Sequence, residues 1–247
     1  MNIRKLHHSI RNACKRLTLD SKKQALVLRR RILIIAPHPD DEVLGCGALI
    51  HAAISSYRDV RVVIMTGGER LATNKKLTKE ELIAKRRNLT KKANATLGLT
   101  PPNITFLDYK DGEISPEDTT QTERLINLIN DFKPQQVFVS SYYDTFADHI
   151  QCKQVLETIR HNHHIAFDLY EYLVWFWFFF KVRQLPRLLT REVYALPIPH
   201  EAKQEAVHIY TEELDETGTR ISGDLPTEMI EALLSKNEFY LKVNCDN

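Results

Sequence analysis

Residues 31–47 read RILIIAPHPDDEVLGCG. RILII has the composition of a buried strand, and the chain then leaves the core and at once presents His38, Pro39 and the three acids Asp40, Asp41 and Glu42. Adjacent carboxylates repel one another, so a turn selected for stability alone would avoid three in a row. A bound cation resolves the conflict. The apolar pattern resumes immediately after the acids with the period of a helix, so the stretch reads as the first strand–turn–helix unit of an α/β fold.

The same alternation continues outward. Further strands are expected at RVVIMT (61–66), NITFLDY (103–109) and QQVFVSS (135–141). Helices are expected over 40–55, over the charged stretch 75–99 ending near Gly98, over 119–132 ahead of Pro134, and over 149–161. Strand–helix alternation implies a mostly parallel sheet with helices on both faces. After Tyr170 the pattern loosens into an aromatic run, a proline-rich segment, a helix around 201–214, and a last helix and strand. No repeat or low-complexity linker divides the chain. We therefore expect one α/β domain over 31–247, preceded by a basic segment, 1–30.

Composition bounds the function. With 247 residues, 43% apolar and 27% charged, the chain can bury a real core as an ordinary soluble domain. Its net charge of +2 is unevenly spread, because residues 1–30 hold nine Lys/Arg and one acid, Asp20. That start lacks the apolar stretch and cleavage site of a secretory signal. It reads as a solvated amphipathic helix or arm whose Leu17, Leu19, Leu26 and Leu28 pack on the body. A sharper reading is contact with a membrane surface or nucleic acid. No aromatic-interleaved basic surface supports nucleic acid, so none is expected as a partner. Cys14, Cys46, Cys152 and Cys245 are scattered, which argues against disulfides and thiolate-bound zinc, and for a reducing, cytoplasmic setting. YEYLVWFWFFF (170–180) is too short to span a bilayer, which needs about 20 residues. It suits a core strand or an aromatic wall facing substrate.

In open parallel sheets ligands bind beyond the carboxyl ends of the strands. That edge collects APHPDDE, TGGER (66–70) and SSYYDTFADH (140–149). Two imidazoles and a carboxylate form a common catalytic zinc set that leaves a position for water. His38 and Asp41, three apart, can share one ion, with His149 from the Asp148–His149 pair as the third ligand. Asp40 can face the water and take its proton. Gly45 and Gly47 let the new helix run close to the sheet. Singly, Asp40 or Asp41 reads as a helix cap and His149 as a core histidine; together, at two converging strand ends, they read as a metal site.

APHPDDEVLGCGALI strongly resembles the first motif of the LmbE-like/PIG-L family of zinc-dependent N-acetylglucosaminyl deacetylases. The likeness continues through VVIMTGGER, NATLGL, FLDYKDGEI, VFVSSYYDTFADHIQC, YEYLVW and KQEAVHIY, roughly residues 31 to 240. It implies a Rossmann-like fold, His38, Asp41 and His149 as zinc ligands, and Asp40 as general base. It also implies a zinc-activated water that removes acetyl from an N-acetylglucosamine-type sugar, free or conjugated. Ferrous iron suits the same donors.

Three positions depart from the family pattern. Phe146 stands where many members have a histidine that stabilises the oxyanion or protonates the leaving amine. Gly67 and Leu89 stand where acids are usual. Tyr142, Tyr143 or His200 is expected to replace the missing donor. The alternative is a metal-bearing carbohydrate-binding protein with little or no turnover.

Overall fold

Ile32–Ile35 are wholly buried, as a strand covered on both faces requires. The computed structural model describes residues 3–70, 77–214 and 218–244. In chain order the elements are α1 (Ile3–Asp20), β1 (Lys23–Ala25), β2 (Arg31–Ala36), α2 (Asp41–Ser55), β3 (Asp59–Thr66), α3 (Lys79–Thr96) and β4 (Ile104–Tyr109). They continue with α4 (Thr119–Phe132), β5 (Gln136–Ser140), α5 (Ala147–Asn162), β6 (Asp168–Tyr172) and the one-turn α6 (Phe176–Phe179). A 3-10 segment (Val182–Leu188), β7 (Val193–Pro197), α7 (His200–Glu212), α8 (Thr227–Leu233) and β8 (Asn237–Val243) complete the fold.

The strands form one sheet in the order β1-β7-β8-β6-β5-β2-β3-β4. β2 runs parallel to both β3 and β5, and only β8 runs antiparallel to its neighbours, β6 and β7. Alternate residues of β2 enter two separate cores. Ile32, Ile34 and Ala36 pack with α2, α3, α7 and α8, and Leu33 and Ile35 with α4 and α5. This is the expected single α/β domain with a mostly parallel sheet.

Local chemistry sets several boundaries. The charged helix expected from residue 75 starts at Lys79, because Thr78 and Glu81 form a reciprocal capping box; Lys75 and Lys76 lie outside the described residues. The aromatic run is not one strand: β6 ends at Tyr172, and the chain turns out of the sheet into α6. A Cβ at Gly45 would overlap the Tyr172 ring, so glycine is what lets α2 lie against β6. Cys14, Cys46 and Cys152 are free thiols, and Cys245 lies outside the described residues.

The basic N-terminal residues pack on this body. β1 pairs with β7 at the sheet edge, and Leu19 and Leu26 are buried as expected. Leu17 is not: it is 69% exposed. The reason is that α1 turns its cations inward. Arg11 and Lys15 donate to the carbonyls of Phe176, Trp177, Phe178 and Phe180, and Arg16 donates to those of Ala232 and Ser235. These carbonyls lie in and just after α6 and α8, where a helix leaves acceptors unpaired.

Candidate metal centre

From β2 the chain builds β3 and β4 to one side, and then β5 and β6 to the other. The order reverses between β2 and β5, and ligands bind at such a reversal. The loop after β2 carries His38 and Asp40 and leads into Asp41, the first residue of α2, and the first turn of α5, after β5, carries Asp148 and His149.

One carboxylate oxygen gathers the cluster. Asp41 Oδ2 lies 3.2 Å from His38 Nδ1 and 3.3 Å from His149 Nε2, and it accepts the backbone N–H of His38 at 3.2 Å. One ligand atom from each of the three residues lies within 4.8 Å of the others, a spacing that one ion can bridge. His149 is fully buried, yet its Nε2 has no hydrogen-bond partner. A buried ring nitrogen left without a hydrogen bond 3.3 Å from a carboxylate oxygen is costly unless it serves as a ligand. The residues present therefore fit a divalent cation, with zinc-type donors.

Each imidazole is also held from behind. His149 Nδ1 lies 2.9 Å from Asp144 Oδ2, and Asp144 accepts the backbone N–H groups of Val174 and Phe176. His38 Nε2 lies 3.0 Å from Asp148 Oδ2 and 3.4 Å from Asp111 Oδ1, and Asp148 accepts the N–H of Gly112. Such carboxylates fix the tautomer so that the other ring nitrogen offers its lone pair. Burial disfavours a charged imidazole. The acids outweigh it, raising His149 to about 9 and His38 well above its ordinary value. Burial also opposes ionisation of Asp41, but the two histidines hold its pKa below the usual carboxylate range.

Asp40 is placed differently. It occupies the N-cap of α2, but its side chain makes no capping bond, and its φ of 129° is a conformation L-residues rarely adopt. Such strain persists only where the surroundings impose it. Here Glu42 accepts the Asp40 N–H at 3.0 Å, and Arg86 donates to Pro39 O at 2.7 Å and to Asp40 Oδ2 at 3.3 Å. Glu42 is held in turn by Asn94 and Tyr210. Burial and the neighbouring Asp41 raise the Asp40 pKa to about 8, against the pull of Arg86.

A cavity of about 380 Å³ opens over the cluster. His38, Asp40, Asp41 and His149 all line it, so the structure brings the four expected residues together. Arg70, Asp111, Phe146 and Trp175 line it as well. Phe146 occupies the N-cap position of α5 and packs on Trp175, ring centroids 4.8 Å apart, and on Phe179 at 5.5 Å. Tyr142 and Tyr143 are not among the lining residues, and the His200 side chain lies outside the described residues. Sequence reasoning overlooked Asp144, Arg86, Arg70 and Asp111, and it brought Asp148 to this edge without assigning it the support of His38. Asp144, five before His149 in YYDTFADH, carried a weak signal. Arg86 sits among five other basic side chains of α3, and nothing in their spacing singles out the buried one.

Residues 33–159 match the profile of the GlcNAc-PI de-N-acetylase family, PIG-L. A diacetylchitobiose deacetylase of Thermococcus kodakarensis is 27% identical over 120 residues, which is 49% of this chain and 44% of that protein. The chain thus matches less than half the length of that relative. An inhibitor complex of the N,N'-diacetylchitobiose deacetylase from Pyrococcus horikoshii superposes with a TM-score of 0.59 at 21% identity, covering 76% of this chain and 72% of that one. The zinc-inhibited form of the teicoplanin deacetylase Orf2 gives 0.64 at 16% identity, covering 88% and 99%. At these identities the superpositions speak for a shared fold.

Proposed function

We propose, for a chain that belongs to the GlcNAc-PI de-N-acetylase (PIG-L) family, that it is a divalent-metal N-deacetylase of N-acetylglucosamine-type sugars or their conjugates. The observation that carries this is the convergence of His38 Nδ1, Asp41 Oδ2 and His149 Nε2 on one point, with the strained Asp40 beside them at the cavity. His38, Asp41 and His149 would hold the ion, zinc by preference, with ferrous iron compatible with the same donors. A cation in that position supplies Lewis-acid chemistry, acidifying water and polarising an amide carbonyl.

The remaining work belongs to the chain. Asp40 accepts the proton of the attacking water, and its raised pKa suits a group that must take up a proton near neutral pH. The amide C–N bond then breaks to give acetate and the free amine. Phe146 has no proton to give, so Asp40 passes on the proton it has taken to the departing nitrogen. Asp144 and Asp148 keep the two imidazoles in the ligating tautomer. Arg70, whose guanidinium lies against Gly112, offers a cationic donor at the cavity.

The test is metal content measured together with acetate release from N-acetylglucosamine, diacetylchitobiose and aryl N-acetylglucosaminides. One divalent ion per chain and acetate release abolished by chelation are expected. Acetate release that survives full metal removal sinks the reading. The apolar Phe146 favours one second reading, a metal-bearing sugar-binding protein. Metal and sugar binding with no acetate from any of these compounds would establish it instead.

A further inference from the structure

α1 is an amphipathic helix packed inside out. At about 100° per residue, Arg11, Asn12, Lys15 and Leu19 fall on one face, and Leu6, Ile10, Ala13 and Leu17 on the opposite one. The first face meets the body, where Lys15 is fully buried against the carbonyls of Phe176 and Trp177. The second faces solvent: Leu6 is 38%, Ile10 54% and Leu17 69% exposed, and Ala13 is exposed too. A surface helix ordinarily buries its apolar stripe. Capping α6 and α8 explains why the cations turn inward but not why three large aliphatic residues share the outward stripe.

The neighbouring segment carries the same mixture. The 3-10 turn packs on α1, and from Phe176 to Arg191 the chain has four Lys/Arg and no acid. Lys181, Arg183 and Arg187 are exposed, with Val182 between the first two and Leu189 just after the third exposed at 40% and 54%. The candidate site lies next to these elements. The Phe146 ring touches Trp175, Trp175 touches Phe178, and Phe178 stacks on His8 of α1 with centroids 5.2 Å apart.

We propose that α1 and the adjoining 3-10 turn form a docking face for an anionic lipid bilayer, with α1 lying in the interface plane. Exposed aliphatic side chains of α1 and the 3-10 turn, flanked by the exposed cations of that turn, suit the boundary between acyl chains and anionic headgroups. No described helix is long and apolar enough to cross a membrane, so the helix would lie on the surface. A second copy of the chain is the poorer occupant. Four side chains, one of them alanine, cover only a fraction of the roughly 1,200 Å² that a specific interface buries, and self-pairing would bring cationic turns together.

Co-sedimentation of the full chain with phosphatidylcholine vesicles, with and without phosphatidylglycerol, tests this. Binding to the phosphatidylglycerol vesicles alone is expected, weakened by salt. Leu17→Glu and Ile10→Glu, both at exposed positions, should each weaken it by about tenfold or more, since each withdraws an aliphatic group from the acyl region and adds a charge that anionic headgroups repel. Far-ultraviolet circular dichroism of both variants should match the wild type. No vesicle binding, or binding unchanged in both variants, overturns the proposal. So does a dimer that Leu17→Glu dissolves in a wild type that ignores vesicles. The readout needs no turnover, so its failure leaves the deacetylase reading standing.

Discussion

Asp144 reaches His149 from inside the protein: its Oδ2 lies 2.9 Å from Nδ1, and two backbone N–H groups hold the same carboxylate in place. The loop after β5 thereby sets the orientation of the His149 ring. Asp144→Asn keeps the size but turns an acceptor into an amide that can present N–H to the ring. Loss of such a partner typically costs about 10–100-fold in metal affinity. Competition with a chromogenic chelator measures it, and an unchanged affinity would show that His149 needs no support.

The roles of the adjacent acids can be separated. Asp40→Asn should retain the metal, because Asp40 Oδ2 faces Arg86, and should lose most acetate release, because an amide cannot take the water's proton. His149→Ala should instead lose the metal. An Asp40→Asn protein that comes through purification without its ion would exchange the assignments of Asp40 and Asp41.

Cation uptake should release protons. Without an ion the surrounding acids keep both imidazoles charged against the effect of burial, His149 up to about pH 9. Each ring must shed its proton before it can ligate. The sign follows: apparent affinity rises with pH towards about 9 and falls as acid holds the rings protonated. Calorimetry in buffers of different ionisation enthalpy should detect the release at pH 7. A pH-independent affinity between 6 and 8 would mean that the histidines do not bind the ion.

α2 breaks at Cys46, whose φ is −134°. The groups freed there are satisfied by a buried ion pair: Lys203 Nζ donates to Leu44 O at 2.8 Å, and Glu238 accepts Ala48 N–H at 2.7 Å and Leu49 N–H at 3.0 Å. The pair itself closes at 2.6 Å. Lys203→Met leaves Glu238 buried and uncompensated, so a loss of about 3–5 kcal/mol is expected in denaturant unfolding. Lys203→Met with Glu238→Gln should recover part of it. Wild-type stability in the single variant would refute the argument.

What could be read from the chain follows from the range of each signal. β2 and the turn into α2 were legible because apolar periodicity and three adjacent acids are local. α4 was found at Thr119–Phe132 because Pro134 stops it and one side is apolar. Converging strand ends brought His149 to His38 across more than a hundred residues, because parallel topology itself collects carboxyl ends. Arg86 under Asp40 and Lys203 at the break in α2 were not legible, since a buried cation looks like any other until its acceptors are known. Leu17 was misplaced for a related reason: the pattern marks an apolar stripe but not which face meets the body.

Phe146 bears most directly on turnover. Its ring lies 5.8 Å from that of His149, is 39% exposed, and borders the cavity, so a histidine there would stand beside the His38–Asp41–His149 cluster. Loss of one oxyanion-stabilising donor typically costs about 10²–10³ in rate. If that loss alone limits the wild type, Phe146→His should raise turnover of simple N-acetylglucosamine conjugates by up to that factor and leave metal affinity nearly unchanged. The new imidazole would have Trp175 and Phe179 as neighbours, so its gain should be largest on compounds with poor leaving amines, where a proton donor matters most. Steady-state acetate release from paired substrates of different amine basicity reads this out. A fast wild type that Phe146→His slows would show instead that Phe146 shapes the cavity for its substrate, with Asp40 supplying the leaving-group proton unaided.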